Sequence, residues 1–534
     1  MPSETPALTR GCAFYSHTPA SIFIPEDFVG DERLMIDTAE QFSRKEVLPV
    51  LDRLEAQEEG LMPGLIRHAG ELGFCGADAP EAYGGLGLGK NLAARILEFL
   101  SLNASFSVTL GVTSGVAQVA LAWFGTDEQK SRYLPKLASG EWIGAYCLSE
   151  PNSGTDALSV LTRADRRNGK WVLNGTKMWI SNAKWAQFFL VMAKVDGERL
   201  SAFLVERDFP GLSISREEHK LGLKASSTAR LLMEDVEVPL ENMLYEEGKG
   251  HVVALNSLNL GRFKLSSMSL GPARDAIGLA ATYALDRKQF GQPIADFGLI
   301  QKKLALSAAR FFAAESMTYR TGALIDEAFA AFGGSVAGNR KAAEEMSVEC
   351  SACKVFATEA ENFIIDEAMQ VFGGYGFTEE FPIARHYRDA RVSRIYEGTN
   401  EINRVFISDR LRRRAREGRA SLTPAGDSFI SELAGHVLAH AETAPAPTAS
   451  WEQIRIGAAS DLIILAYAEQ SARLRAKRLG GLHEELYACF VNWANPAAAE
   501  AYQLATGSAV TLPSVRRVDW GEIAEMVYAK KAPL

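Results

Sequence analysis

The spacing of apolar residues changes twice along the chain. At first, apolar residues recur with the spacing of an amphipathic helix, and glycines such as Gly60 and Gly73 interrupt them. Short apolar runs such as Phe188–Ala193 then take over, bounded by Asn-Gly, Asp-Gly and Pro-Gly pairs, which is typical of strands joined by turns. Beyond Gly250 the helical period returns, and Ile300 begins a long apolar stripe. The pattern predicts a helical region, then a β region, then a second helical region.

The last part of the chain has a different composition. Residues 411–427 combine a cluster of arginines with Gly418, Pro424 and Gly426, which is typical of a linker, and an Ala-rich helical sequence follows. We therefore predict an α+β multidomain protein. Its segments are a polar leader at 1–30, an N-terminal helical domain at 31–145, a middle β domain at 146–255, a C-terminal helical-bundle domain at 256–410, a basic linker at 411–427 and a helical extension at 428–534.

Composition and charge restrict the class of protein. The chain has 534 residues, of which 47% are hydrophobic and 23% charged, which is typical of a globular protein of about three or four domains. Its formal net charge of −9 argues against a nucleic-acid partner. No uninterrupted apolar run approaches the ~18 residues of a spanning helix, and the cysteines are scattered rather than arranged as a disulfide framework. We therefore expect a reducing, cytoplasmic location.

Three apparent motifs lack the context that their chemistry needs. Gly84–Lys90 has the spacing of a phosphate loop, but Asn91 replaces the hydroxyl residue that would hold magnesium, so an ordinary Gly-rich loop is favoured. Cys350 and Cys353 have redox spacing but lie on an apolar helical stripe, which favours core positions. His483 starts a zincin-like string that lacks its second histidine. We predict no metal site.

Two other segments combine glycines with polar side chains in a way that a core does not require. The first consists of Tyr146–Asp156, a tight loop rich in hydroxyl and amide donors, and Lys177–Ala183, which adds the large aromatic face of Trp179. The second runs from Gln370 to Arg404. It contains Glu397 beside a glycine and apolar neighbours, a setting that favours a partly buried base over a solvated carboxylate.

At these segments the chain resembles the acyl-CoA dehydrogenase family of flavoenzymes. Matching motifs follow one another in family order from about Asp31 to Arg410. They are PEAYGGLGLG at Pro80–Gly89, GTDEQKSRYLPKLASGE at Gly125–Glu141, KLGLKASST at Lys220–Thr228, DRKQFGQPIADFGLIQKKLA at Asp286–Ala305 and RIYEGTNEINR at Arg394–Arg404. The resemblance implies the family fold: a helical domain, a β-barrel-like middle domain, a helical bundle and here an extra helical tail.

The resemblance also implies which residues bind FAD and acyl-CoA. From the middle domain it implies FAD contacts at Tyr146, Cys147, Leu148, Ser149, Thr155, Trp179, Ile180 and Ser181. Because the family completes its FAD site across a subunit interface, it implies a homo-oligomer with further FAD contacts at Arg287, Phe290, Gln370, Gly373, Gly374, Thr399 and Glu401. It implies substrate contacts at Arg262, Phe263 and Gly398.

The implied reaction converts a fatty acyl-CoA thioester into a trans-2-enoyl-CoA, the first step of fatty acid β-oxidation. A carboxylate removes the α proton while a hydride leaves the β carbon for the flavin. The family places this base either in the YEGT motif or one residue before an arginine in an earlier helix. Here Gly261 occupies the second position, before Arg262, and glycine cannot serve. The implied base is therefore Glu397.

The tail and NLGRF at Asn259–Phe263 resemble the very-long-chain branch of the family. This branch implies long-chain substrates and electron-transferring flavoprotein as the electron acceptor. It favours a dimer, with a tetramer as the open alternative. Two alternatives stay open, namely an assembly or scaffold protein on the same fold and an acyl-CoA oxidase. Asp461–Leu479 changes from apolar to cationic along its length. It favours either peripheral contact with the inner face of a membrane or packing on the dimer partner with its cations solvated.

Overall fold

The computed structural model describes residues 11–424, 426, 428–440, 449–514 and 516–532. They form two compact units. The β-containing unit consists of Gly30–Lys264 and Gly333–Arg340, and the helical unit consists of the other described residues.

Most helices before the first strand are short, but π-helical Val112–Ala117 joins α6 and α7 into one continuous helix. Helix α8 begins with a capping box, in which Thr126 Oγ1 accepts a hydrogen bond from Gln129 N and Gln129 Oε1 accepts one from Thr126 N. The stretch Ala104–Phe124 is long and apolar enough to cross a membrane, but 83% of its most apolar window is buried, as in a core helix. The helices are α1 (Ala13–Ser16), α2 (Asp31–Phe42), α3 (Leu51–Glu55), α4 (Leu61–Glu71), α5 (Lys90–Leu100), α6 (Ala104–Gly111), α7 (Gln118–Phe124) and α8 (Asp127–Ala138).

The Gly-rich stretch before α5 is an ordinary loop, as the sequence predicts. A short 3₁₀ turn, Glu81–Tyr83, rather than a strand precedes it. The Nζ atom of Lys90 lies 3.0 Å from a carboxylate oxygen of Asp78, so this lysine belongs to an internal ion pair.

One eight-stranded sheet forms the middle of the β-containing unit. The strand order is β6-β7-β3-β2-β4-β5-β8, with β1 added in parallel on β4. Alternate side chains, Trp171 and Phe203 among them, fill one core. The strands are β1 (Gly144–Cys147), β2 (Arg163–Arg167), β3 (Lys170–Ser181), β4 (Phe188–Val195), β5 (Arg199–Glu206), β6 (Leu212–Ile214), β7 (Thr228–Pro239) and β8 (Met243–Leu244).

Long helices and one small hairpin make up the rest of the chain. Cys350 and Cys353 are buried in α12, which confirms that they are core residues. The elements are α9 (Gly250–Asp286), the hairpin strands β9 (Lys288–Gln289) and β10 (Gln292–Pro293), α10 (Gly298–Phe332), α11 (Val336–Glu345), α12 (Ser347–Phe372), α13 (Pro382–Ala390), α14 (Asn400–Arg416), α15 (Phe429–His440), α16 (Ala449–Leu479), α17 (Leu482–Thr506) and α18 (Trp520–Lys530).

The segment predicted as a polar leader packs inside the helical unit. Residues 11–29 bury several apolar side chains, and the ring of Phe14 stacks on that of Tyr467, with 4.1 Å between the centroids. The carboxylate of Glu26 lies 2.6 Å from the guanidinium of Arg475. For residues 11–29 the prediction of a separate leader was wrong, because Phe14, Ile22 and Ile24 pack against side chains of α16. Residues 1–10 of the predicted leader lie outside the described residues.

The predicted basic linker starts too early. Helix α14 continues to Arg416, and the side chain of Arg414 is only 1% exposed. Its guanidinium donates to the carbonyl oxygens of Glu344 and Glu345 at the end of α11, where a cation is favoured by the helix dipole. The sequence alone does not distinguish a buried arginine of this kind from a solvated one.

Two cations of α16, Arg475 and Arg478, are in ion pairs instead of being freely solvated. Arg475 lies between the carboxylates of Glu26 and Glu315, the latter at 2.8 Å, and its side chain is buried. Arg478 pairs with Asp27. These two arginines hold the N-terminal segment on α16. They therefore neither meet a membrane surface nor remain solvated, which were the two roles expected for the cations of this helix.

Candidate active site

In the β-containing unit, the loop after β1 lies beside the end of β3. The backbone N–H of Met178 donates to the carbonyl oxygen of Ser149 across 2.9 Å, which joins the two segments singled out in the sequence. Ser149 and Ser181 are partly exposed, and Thr155 is exposed on the loop. Hydroxyl and backbone groups of both segments are therefore available on one surface.

Trp179 leaves the regular path of β3. The pairing of β3 with β7 shifts register between Lys177 and Ile180, and Trp179 has a φ of 56°. A left-handed conformation is strained for a bulky residue and marks functional sites. The ring is 57% exposed, whereas Ile180 beside it is buried. The bulge thus presents one large aromatic face outside the sheet.

A buried ion pair supports this surface from below. The Nζ atom of Lys177 donates to Glu150 Oε1 at 2.7 Å and to the carbonyl oxygen of Leu148 at 3.2 Å. Burial opposes ionisation of Glu150, but Lys177 and backbone donors outweigh it and keep the pKa of Glu150 below its usual value. The sequence reasoning missed this pair. No local pattern indicates it, because Lys177 and Glu150 are 27 positions apart in the sequence.

Asn182 is a second support that the sequence reasoning missed. Its side-chain amide donates to the carbonyl oxygens of Thr109 and Gly144, each at 2.9 Å. Asn182 is buried and has a φ of 67°. It therefore fixes the end of β3 against both α6 and β1.

Some predicted contact residues of this unit turn their side chains into the core. Cys147, Leu148 and Phe263 are buried, and burial raises the pKa of the Cys147 thiol. Arg262 is also buried, with Nη1 located 3.3 Å from Asn259 Oδ1. Residues 147 and 148 can therefore offer a ligand mainly backbone groups.

In the helical unit, Glu397 lies in the loop that leads into α14. Its φ is 57° and that of Gly398 is 80°, so two successive residues are left-handed. The carbonyl oxygen of Gly398 accepts hydrogen bonds from Lys354 Nζ and from Asn403 Nδ2, both at 2.9 Å. Lys354 is buried in α12. The carbonyl group of Gly398, one residue after Glu397, is thus held by two donors.

The start of α14 continues this loop. Thr399 Oγ1 accepts the backbone N–H of Ile402 at 3.2 Å and caps the helix. Glu401 is exposed, and a hydrogen bond from its own backbone N–H lowers its pKa. Thr399 therefore has a local structural role, and Glu401 presents a charged carboxylate at the helix N-terminus.

The remaining predicted residues form a separate group in the helical unit. The guanidinium of Arg287 lies over the ring of Tyr375, 5.6 Å from its centroid, which brings the β9–β10 hairpin to the segment after α12. Phe290 at the hairpin tip is 95% exposed and has a φ of 52°. Gln370, Gly373 and Gly374 are exposed, and a Cβ atom at either glycine would meet open space.

Comparisons of the sequence agree with this architecture. Profiles of the acyl-CoA dehydrogenase N-terminal, middle and C-terminal domains match residues 30–141, 145–236 and 248–412. A protein of Bacillus subtilis named "Probable acyl-CoA dehydrogenase" is 44% identical over 421 residues, which are 77% of this chain and 70% of that protein.

A second relative and a solved structure extend the match. The mitochondrial very long-chain specific acyl-CoA dehydrogenase of Macaca fascicularis is 40% identical over 369 residues, 67% of this chain but only 54% of that protein. The crystal structure of an acyl-CoA dehydrogenase complexed with FAD from Bacillus anthracis superposes with a TM-score of 0.92 at 36% identity. It covers 98% of this chain and 100% of its own, so the fold match includes the helical extension.

These matches confirm the family, the fold and the enzyme class that the sequence motifs imply. The chain belongs to the acyl-CoA dehydrogenase family of FAD-dependent oxidoreductases.

Proposed function

We propose that the protein oxidises long-chain fatty acyl-CoA thioesters to trans-2-enoyl-CoA, with Glu397 as the base. The observation that carries this proposal is the clamped left-handed loop at Glu397 and Gly398 in a member of this family. Strain of this kind persists where the surroundings enforce it and is common at active sites. The very long-chain specific relative supports the length of the substrate.

The residues present fit FAD. Trp179 exposes a flat aromatic face, and the loop from Tyr146 to Thr155 offers hydroxyl and backbone donors beside it. Gly373 and Gly374 leave open space for a dinucleotide to approach the backbone. Bound FAD would supply the acceptor for a hydride.

The protein's own groups account for the proton transfer. The Glu397 carboxylate accepts the α proton of the thioester as the hydride leaves the β carbon. Lys354 and Asn403 hold the Gly398–Thr399 peptide, one residue beyond Glu397, which restricts the backbone that carries the carboxylate during this transfer. Backbone donors near the thioester carbonyl would stabilise the developing enolate.

The proposal extends to two partners. Electron-transferring flavoprotein would reoxidise the enzyme, as the family resemblance implies. A second subunit would cover the hairpin tip and the segment after α12, because Phe290 and Phe377 are 95% and 86% exposed there. Such exposed aromatic side chains are typical of subunit interfaces.

Anaerobic titration of the yellow protein with acyl-CoA substrates from butanoyl-CoA to eicosanoyl-CoA tests the function. We expect bleaching of the flavin absorbance, fastest with long chains, and none in Glu397→Gln. Glu380→Gln, which changes an exposed carboxylate of the same region, is the matched control and should bleach normally. A flavin that no acyl-CoA bleaches would favour the scaffold alternative, and fast reoxidation by oxygen would favour an oxidase.

A further inference from the structure

A cavity in the helical extension contains none of the residues assigned to the active site. It has a volume of about 410 Å³ and lies mainly between α16 and α17. This volume falls in the range of small-molecule sites, ~300 to 1,000 Å³. The helices are joined by Gly480 and Gly481, whose φ angles of 69° and 57° allow an abrupt reversal of the chain.

Small side chains create the cavity. Ala476 on α16 and Ala488 on α17 are both buried and line it, so neither helix fills the groove between them at this level. Tyr487 adds an aromatic wall, and its hydroxyl group donates to Glu469 Oε1 at 2.6 Å, which fixes the ring. The floor and walls therefore provide apolar surface for a flat organic group.

One largely buried residue with a side-chain amide lines this cavity. Asn495 is only 7% exposed, and among the described residues its side chain makes no hydrogen bond. Its amide group keeps its accessible surface toward the cavity, where a ligand can reach it. It offers one donor and one acceptor side by side, which complements the N6 and N7 edge of adenine.

Cations lie on the same lining. Arg473 and Lys477 are one helical turn apart on α16, so their side chains leave the helix on one face. Arg473 forms an ion pair with Glu469 at 3.1 Å. Lys477 is exposed and has no ion pair among the described residues. The lining carboxylate, Glu484, is exposed. A phosphate group bound here would accept charge-assisted hydrogen bonds from Arg473 and Lys477.

We propose that this cavity binds an adenine nucleotide, with the base against Asn495 and Tyr487 and the phosphate at Arg473 and Lys477. The same chemistry occurs in a free nucleotide and in the adenosine diphosphate end of coenzyme A. The site shares no residue with Glu397 or with the predicted FAD contacts. A ligand bound there would contact only the helical extension.

Equilibrium dialysis of labelled 5′-AMP against the FAD-loaded full chain tests the proposal. We expect one site per chain, binding at least tenfold weaker for adenosine and for inorganic phosphate, and a loss of at least tenfold in Ala488→Leu and in Lys477→Ala. Glu397→Gln and Arg455→Ala, a change elsewhere on α16, should bind normally. If coenzyme A displaces AMP, the natural ligand is the nucleotide end of coenzyme A. If only free adenine nucleotides displace AMP, the natural ligand is a free nucleotide.

Several results would overturn the site. They are an absence of AMP binding, equal binding by phosphate alone, and undiminished binding in Ala488→Leu. Lys477 is exposed, so Lys477→Ala remains informative if the larger side chain at 488 disturbs folding. If Lys477→Ala or Asn495→Leu changes the sedimentation of the protein rather than its AMP binding, the cavity is a subunit contact and the proposal fails.

Discussion

The Nζ atom of Lys354 donates a hydrogen bond to the carbonyl oxygen of Gly398 across 2.9 Å and a second one to Asn400 Oδ1 across 2.7 Å. A buried lysine on α12 thus fixes the backbone immediately after Glu397. We expect Lys354→Met to retain FAD but to lower the rate of flavin reduction about 10²-fold, the effect of a misplaced reacting group. Lys341→Met, at an exposed lysine, is the control. Stopped-flow reduction by a long-chain acyl-CoA measures both, and an unchanged rate in Lys354→Met would show that the clamp is irrelevant.

Trp179 should contribute to FAD retention through its exposed ring. We expect Trp179→Ala to weaken FAD binding by about 2- to 10-fold, corresponding to the ~0.5–1.5 kcal/mol of an aromatic contact, and Trp179→Phe to lose less. Trp451→Ala removes another half-exposed tryptophan and should leave the affinity unchanged. Fluorescence titration of the apoprotein with FAD gives the affinities. Equal affinity in all four proteins would remove Trp179 from the cofactor site.

The Lys177–Glu150 pair predicts an asymmetric response to mutation. Glu150→Ala leaves a buried ammonium group without its carboxylate, so we expect the free energy of unfolding to fall by about 3–5 kcal/mol. Adding Lys177→Met should recover part of that loss, because the double variant buries no charge. Urea unfolding followed by tryptophan fluorescence measures the wild-type protein, Glu150→Ala, Lys177→Met and the double variant. If the double variant loses the sum of both single changes, the two residues are not coupled.

Glu361 predicts a pH dependence of stability. It is buried in α12, and burial raises its pKa from 4.5 to about 8. Asp389 adds to the increase, whereas the neighbouring hydroxyl groups of Ser393 and Ser269 oppose it. The stability from its neutral form is fully present below pH 4.5 and is lost as the pH rises through about 8. Between these values the free energy of unfolding should fall by up to ~1.4 kcal/mol per pH unit.

Glu361→Gln isolates this contribution, because the amide has the same shape but cannot ionise. We expect the difference in unfolding free energy between the two proteins to grow in favour of the glutamine variant from pH 5 to pH 8. Thermal or urea unfolding across this range measures it. Parallel curves for both proteins would mean that Glu361 is already ionised in the folded state.

The sequence predicts well what depends on local pattern and on motif spacing. The order of helical, β and helical regions follows from the periods, and the left-handed loop at Glu397 lies in the motif that singled it out. The buried charges were missed, because Lys177, Arg414 and Arg475 have partners distant in sequence that no local pattern indicates. The arginines at the end of α14 were predicted to belong to a linker, and those of α16 to meet a membrane or to be solvated, whereas Arg414 and Arg475 are buried and have protein partners.

The contact between Glu26 and Arg475 has a consequence for synthesis of the chain. The two residues are 449 positions apart. At ~5–20 residues per second, Glu26 is synthesised roughly 20 to 90 seconds before Arg475. During that interval the apolar side chains of residues 11–29 have no completed surface on which to bury themselves. The helical unit must therefore close late, so nascent chains that pause before α16 would be the form most in need of chaperones.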